Sequence, residues 1–384
     1  MTAANTYDAA VIGAGVFGAW TAWHLAKRGL RVILLDAYGP ANARASSAGE
    51  TRIIRMGYGA DEIYTRWSQY SLTKWKEFCS QTARELFLET GVLWLAGSED
   101  ARLLHTKAAL LRFGVPFEPL DRAALEQRYP QINFDGVTAG ILEPKSGVLM
   151  ARRAVSAVVA DAVKQGVEYR LARAEAPRAK GRAESITTSS GETIAANLFV
   201  YACGPWLGKV FPKILKSRIF PTRQEVFFFG VPAGDARFAA PALPTWLFQQ
   251  DEYYGMPDIE NRGLKIAWDR HGKKVDPDTQ SRVVSAQLMK QARAYVAQRF
   301  PALKDAPVVE TRVCQYENTS SGDFLIDRHP ELENVWLAGG GSGHGFKHGP
   351  AVGEYVTGVI LDARPQESRF SLGTKETAQQ RAVY

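Results

Sequence analysis

Two arginines stand three residues apart in Thr51-Arg52-Ile53-Ile54-Arg55. A guanidinium offers a planar fork of donors that fits a carboxylate bidentately, so Arg52 and Arg55 are a candidate clamp for an acid group. The competing reading is a solvated surface pair. A second constellation lies in Gly263-Leu264-Lys265-Ile266-Ala267-Trp268-Asp269. If this run is a strand, Lys265, Ala267 and Asp269 share one face and Leu264, Ile266 and Trp268 the other. Taken alone, that lysine and aspartate read as a surface salt bridge. Cys314, in Arg312-Val313-Cys314-Gln315-Tyr316, reads by itself as a small buried hydrophobe, as do Cys79 and Cys203.

These side chains need a frame, and the first residues supply one. Tyr7 to Ile12 reads as a buried strand and Ala19 to Arg28 as a helix ended by Gly29. Leu30 to Leu35 reads as a second apolar strand closing with Asp36. Between strand and helix lies Gly13-Ala14-Gly15-Val16-Phe17-Gly18. Gly13 permits a tight turn, Gly15 lets the backbone approach a pyrophosphate, and Gly18 lets helix and strand pack closely. The helix N-terminus then faces the phosphates. Asp36, 18 residues after Gly18, is placed to bind a ribose hydroxyl, and its charge argues against a 2′-phosphate. This unit binds a dinucleotide but does not by itself separate NAD from FAD.

Its position at the N-terminus favours FAD, and so does a second glycine loop. Val335 to Ala338 reads as a buried strand and is followed by Gly339-Gly340-Gly341-Ser342-Gly343-His344-Gly345. A strand, a glycine turn and a helix start can present backbone N–H groups, near Gly343 and Gly345, to a flavin and stabilise negative charge on its reduced ring. A plain flexible turn is the alternative. Lys347, just after this loop, could pair with an anion at a flavin edge or be solvated. His344 alone reads as structural.

The remaining chain alternates. Ala151 to Lys164 reads as a helix, Leu198 to Ala202 as a strand, and a β-rich region begins at Val226. Glu252 to Met256 and Leu264 to Asp269 read as a hairpin. Ser285 to Phe300 reads as an amphipathic helix, and Pro350 suits the first turn of another that runs to Leu361. The polar tail after Arg364 is expected to be loosely held. The predicted fold is α/β: a discontinuous FAD-binding Rossmann-like domain plus an antiparallel-sheet substrate domain. The first domain takes residues 1–80, 150–215 and 320–384, and the second 81–149 and 216–319.

Composition excludes several classes. With 46% hydrophobic and 23% charged residues the chain matches a soluble globular protein. The net charge of +7 is scattered, without a nucleic-acid motif, and reads as a solvated basic surface that can also concentrate an anionic substrate. Three cysteines without CxxC or HxxC spacing make a disulfide framework or a metal site unexpected, and fit a reducing compartment. No apolar run approaches the roughly 18 residues of a membrane helix, and no leader pattern opens the chain, so the expected location is cytoplasmic.

Taken together, these stretches resemble the monomeric sarcosine oxidase and N-methyltryptophan oxidase family, within the D-amino-acid-oxidase superfamily. The resemblance runs nearly the whole chain. It is carried by Gly13 to Gly18, Thr51 to Arg55, Gly91-Val92-Leu93, Glu143 to Val148 and Tyr253-Tyr254-Gly255. It continues in Gly263-Leu264-Lys265, Asp276-Pro277-Asp278-Thr279, Cys314-Gln315-Tyr316 and Ser342 to Lys347. It implies a monomeric enzyme that oxidises a small amino acid or secondary amine with FAD and molecular oxygen, giving an imine and hydrogen peroxide. Cys314 matches the cysteine that bonds the flavin, and Lys265 the lysine that promotes reaction with oxygen. Arg55 and Lys347 match the pair that binds the substrate carboxylate, Arg52 an arginine near the flavin ring, and Tyr254 a pocket aromatic.

Two positions depart. Ala48 and Asp269 stand where sarcosine oxidase has histidines, and Asp269 is more like the imino-acid oxidases of antibiotic biosynthesis. It is the candidate proton acceptor for the amine and points to a larger or cyclic substrate. The loops around Trp246, Gln249 and Met256 are expected to set the size of the pocket. Three other functions remain open at this point: an NAD-dependent dehydrogenase, a noncatalytic flavin subunit, and a flavin dehydrogenase that passes electrons to a carrier.

Overall fold

The computed structural model describes residues 6–97 and 100–381. One sheet is built around the strand Tyr7–Ile12, which pairs in parallel with Thr193–Tyr201 on one side and Val32–Asp36 on the other. Glu168–Leu171 extends it in parallel beyond Val32–Asp36, and Val335–Gly339 beyond Thr193–Tyr201. Leu325–Arg328 closes that edge antiparallel. The alternation of period two is visible in burial. Ala9 and Val11 face one apolar layer with Val32 and Leu34, while Ala10 and Ile12 face a second with Ile33 and Leu35. Both faces are covered, so these strands read as continuous apolar runs.

The first helix is Val16–Lys27, three residues earlier than the sequence suggested, because Gly15 already serves as N-cap in an extended conformation. It packs against Ala151–Lys164 and Gly349–Leu361. A methyl group on Gly353 would lie 2.6 Å from the backbone of Trp20, which fixes how closely these helices approach. The second strand is Val32–Asp36.

A larger sheet of eight strands carries the rest. Its longest pairing is antiparallel, between Phe220–Phe229 and Val308–Asn318, with Gln224 opposite Cys314 and Thr222 opposite Tyr316. Leu264–Trp268 and Tyr253–Met256 form the expected hairpin. One pairing in this sheet is parallel: Thr245–Phe248 lies beside Val92–Ala96. A small third sheet joins Arg52–Ile54 to Gly147–Leu149 and Phe87–Leu88.

The tail is not loose as far as it is described. Phe370 is fully buried and Lys375 is 1% exposed, its Nζ donating to the carbonyl of Arg369 at 2.6 Å. Further on, Gln380 N donates to Ser320 O at 2.9 Å. Its polar composition concealed these anchors. No helix among the described residues is long and apolar enough to cross a membrane.

Candidate active site

The glycine turn after Tyr7–Ile12 opens onto a cavity of about 270 Å³. Gly13, Gly15, Asp36 and Tyr38 line it together with Arg52, Gly343, Gly345 and Phe346. The turn is held by contact: a methyl on Gly18 would stand 1.8 Å from the carbonyl oxygen of Gly13. Ser47 Oγ accepts from Val16 N at 3.0 Å and so ties the helix start to the loop that carries Arg52. Asp36 lines the cavity while accepting from Ala14 N at 2.7 Å and from Tyr38 N and Gly39 N at 2.8 Å. Burial raises its pKa and these three donors oppose that.

Two buried oxygens on this cavity, Ser46 Oγ and Glu317 Oε1, have no hydrogen-bond partner in the structure. A long cavity with a glycine-rich helix start, an acidic end and orphaned polar atoms fits a bound dinucleotide such as FAD. Gly13, Gly15, Asp36, Gly343 and Gly345 are the residues that could hold it.

Arg52 lies where this cavity meets two smaller chambers. In the first, of about 40 Å³, it faces Ala48, Lys265 and Cys314. Its guanidinium donates to the carbonyls of Thr51 at 2.8 Å, Ser46 at 2.8 Å and Ala48 at 2.6 Å, and reaches Cys314 Sγ at 3.5 Å. Lys265, 3% exposed, donates to Thr51 O and Thr51 Oγ1, both at 3.0 Å. Burial, with the charge of Arg52, lowers its pKa to about 7.

The second chamber, of about 50 Å³, is lined by Arg55, Tyr254, Asp269, Tyr316, His344 and Lys347 among others. Arg55 donates to the carbonyl of Gly57 and lies over the rings of Tyr58 and Trp94, at 4.4 and 4.6 Å. Lys347 donates to Tyr58 Oη at 2.8 Å and His344 O at 3.1 Å. Burial and the nearby Arg55 push the Lys347 pKa well down. Tyr316 Oη donates to Asp269 Oδ1 at 3.2 Å. Burial raises the Asp269 pKa, against the pull of Arg55, Tyr316 and Lys347. Burial also raises the pKa of Tyr254, to about 12. Among the described residues none of the four cations, Arg52, Arg55, Lys265 and Lys347, forms an ion pair.

The sequence expectations meet this geometry unevenly. Arg52 lines the cavity and both chambers, Lys265 and Cys314 line the first chamber, and Arg55, Tyr254, Asp269 and Lys347 line the second. The solvated readings of Arg55 and Lys347 fail, since both are under 8% exposed. Lys265 and Asp269 do not form a salt bridge. The strand ends at Trp268, Asp269 N turns to Glu252 O at 2.7 Å, and the two side chains enter different chambers. Of the three residues marking the loops expected to set pocket size, Met256 lines the second chamber and Trp246 is buried in the core.

Several residues were missed. Tyr58 links Lys347 to His344 Nδ1 at 3.2 Å and His348 Nε2 at 2.9 Å. Glu143 accepts from Met56 N, Gly57 N and Trp94 Nε1 at 2.8, 3.0 and 2.8 Å, and so shapes the loop behind Arg55. The one available signal was an acid in the otherwise apolar run Gly140-Ile141-Leu142-Glu143.

This chain belongs to the family of FAD dependent oxidoreductases termed DAO, whose pattern matches residues 8–358. It is 30% identical over 390 residues to the monomeric sarcosine oxidase of a Bacillus species, covering 98% of this chain and 99% of that one. It is 28% identical to the N-methyl-L-tryptophan oxidase of Salmonella heidelberg, covering 94% of this chain and 96% of that one. Among solved structures, L-proline dehydrogenase from P. horikoshii shares the fold with a TM-score of 0.84 at 21% identity, over 96% of this chain and 97% of its own.

Proposed function

We propose that this chain oxidises a small amino acid bearing a secondary amine, with FAD as its cofactor and oxygen as the final acceptor. One observation carries the reading. Arg55 and Lys347 are buried on the same chamber as Asp269, with no ion pair among the described residues to spend their charge on. Two cations held in this way favour a carboxylate entering between them. The relatives named for sarcosine and N-methyl-L-tryptophan both act on N-methylated amino acids by name. That supports an amine next to the acid group.

FAD, when bound, supplies the two-electron acceptor that turns the C–N single bond into C=N. The chain's own residues do the rest. Arg55 and Lys347 fix the carboxylate and thereby the direction of the amine. Asp269, its Oδ1 occupied by Tyr316, takes the ammonium proton, because only a neutral amine can give up electrons. Lys265 places a cation where negative charge builds on oxygen, which gains two electrons and two protons and leaves as hydrogen peroxide. Cys314 holds the cofactor through its sulfur, and Arg52 fixes the loop beside it. The parallel sheet and its helices serve the nucleotide, and the large sheet the substrate.

The test is a panel of sarcosine, N-methyl-tryptophan, proline and pipecolate, with anaerobic flavin bleaching and aerobic peroxide as paired readouts. The reading requires both signals from at least one of them. If no amino acid bleaches the flavin, it fails. Bleaching without peroxide in air would make the protein a dehydrogenase that passes electrons to a carrier.

A further inference from the structure

Glu317 is a carboxyl that the proposed reaction does not use. It sits on Val308–Asn318 directly after Tyr316 and is 6% exposed. It lines the long cavity together with Cys203, Gly204, Ala338 and Gly341. Its carboxyl lies near the N–H groups of Gly340 and Gly341, its Oε1 has no hydrogen-bond partner, and no cation pairs with it among the described residues. The carboxyl has little room to turn: a methyl on Gly339 would come within 2.3 Å of both Oε1 and Leu207 Cδ1. Its own carbonyl accepts from Ser342 N at 2.9 Å, which ties it to the second glycine loop.

A buried oxygen without a partner is costly, and such groups persist where a ligand or water completes them. Ser46, whose Oγ is also without a hydrogen-bond partner among the described residues, lines the same cavity. Both residues line one cavity, so a polar occupant there would lie beside their side chains.

We propose that Glu317 is a cofactor-binding residue whose carboxyl is a hydrogen-bond partner for a polar atom of FAD. The inference rests on the cofactor and is independent of which amine is oxidised. Burial pushes the Glu317 pKa up to about 8, opposed by the N–H groups of Gly340 and Gly341. Near neutral pH the group is therefore mostly a carboxylic acid, one donor with acceptors beside it. FAD can use either kind of atom, since it carries hydroxyls, carbonyls and ring nitrogens.

The experiment uses the Cys314→Ser background, where FAD is free to exchange. FAD is titrated into each apoprotein by quenching of flavin fluorescence, and the unfolding midpoint of each apoprotein is recorded. Glu317→Ala is expected to bind FAD about 10- to 100-fold more weakly, while Glu317→Gln stays within about threefold because its amide keeps a donor and an acceptor. Should Glu317→Ala not fold, Glu317→Leu fills the space and carries the same expectation. Unchanged affinity in the Ala or Leu variant overturns the proposal, and so does a loss in Glu317→Gln equal to that in Glu317→Ala. A purely structural carboxyl would lower the unfolding midpoint without separating Gln from Ala in FAD affinity. Failure of the amine panel alone would refute the substrate reading and leave Glu317 in place.

Discussion

On one side of Arg52, Arg55 and Lys347 rest on ring faces, a hydroxyl and single carbonyls. On the other, the guanidinium of Arg52 is bound by three backbone carbonyls and Lys265 by the backbone and hydroxyl of Thr51. Among the described residues Arg52, which lines both chambers, and Lys265, Arg55 and Lys347 all lack an ion pair. The chamber of Lys347 adds an acid without an ion pair among those residues, Asp269, and the chamber of Lys265 adds the thiol of Cys314 and a carboxylate, Glu50, that is already paired with Arg152 and Arg312. Cations held by soft side chains suit an anion that comes and goes. Cations pinned by the main chain suit an occupant that stays, because they cost no reorganisation when charge develops beside them.

That contrast can be broken most sharply at Cys314. Acid-precipitated wild-type protein should remain yellow, while Cys314→Ser should release all of its FAD to the supernatant. Yellow supernatant from the wild type removes the permanent occupant.

Next in size is Arg55→Met. Truncating one partner of a buried charge pair lowers kcat/KM for a carboxylate substrate by about 10²- to 10³-fold. Reoxidation by oxygen should be unchanged, and a parallel loss there would merge the two chambers into one.

Lys265→Met should do the converse, slowing reoxidation about a hundredfold with substrate-driven bleaching intact. The pH dependence has a defined sign. Lys265 is cationic below its pKa of about 7 and neutral above it. The stopped-flow rate constant with oxygen should therefore fall as pH rises through 7, and a rate that climbs instead contradicts the assigned role.

Asp269→His is a finer probe. An aspartate beside the amine favours a charged ammonium and repels a misplaced carboxylate, so wild type should prefer proline or pipecolate to sarcosine. The histidine variant should shift that ratio about tenfold toward sarcosine. Sarcosine already best in wild type would refute the preference, and an unmoved ratio would leave Asp269 structural.

The smallest effect belongs to Gly343, at φ +82°, where a methyl would meet the Tyr316 ring at 2.7 Å. Gly343→Ala should cost about 2 kcal/mol of stability, read as the unfolding midpoint.

How much of this was legible follows from range. The βαβ unit was readable because Gly13, Gly18 and Asp36 act within one local stretch, and the hairpin at Tyr253 because its strands are neighbours. The helix start slipped to Val16 because an extended Gly15 can cap as well as turn. Asp269 was assigned to the face of Lys265 because alternation says nothing about where a strand ends. Tyr58 gave no sign and Glu143 only its place at the end of an apolar run, since their partners lie up to 290 residues away and are set by packing alone. Glu317 was hidden for the same reason.

The central place of Tyr7–Ile12 also has a consequence for biosynthesis. This strand is made shortly before its neighbour Val32–Asp36, but its other edge pairs with Thr193–Tyr201, made far later. Until that segment is made, an apolar parallel strand has one ladder of N–H and C=O groups exposed. Long-range parallel pairing is slow to form, and an open apolar edge is prone to join a neighbouring chain. The nascent chain is therefore most vulnerable to aggregation during synthesis of the residues between Asp36 and Thr193.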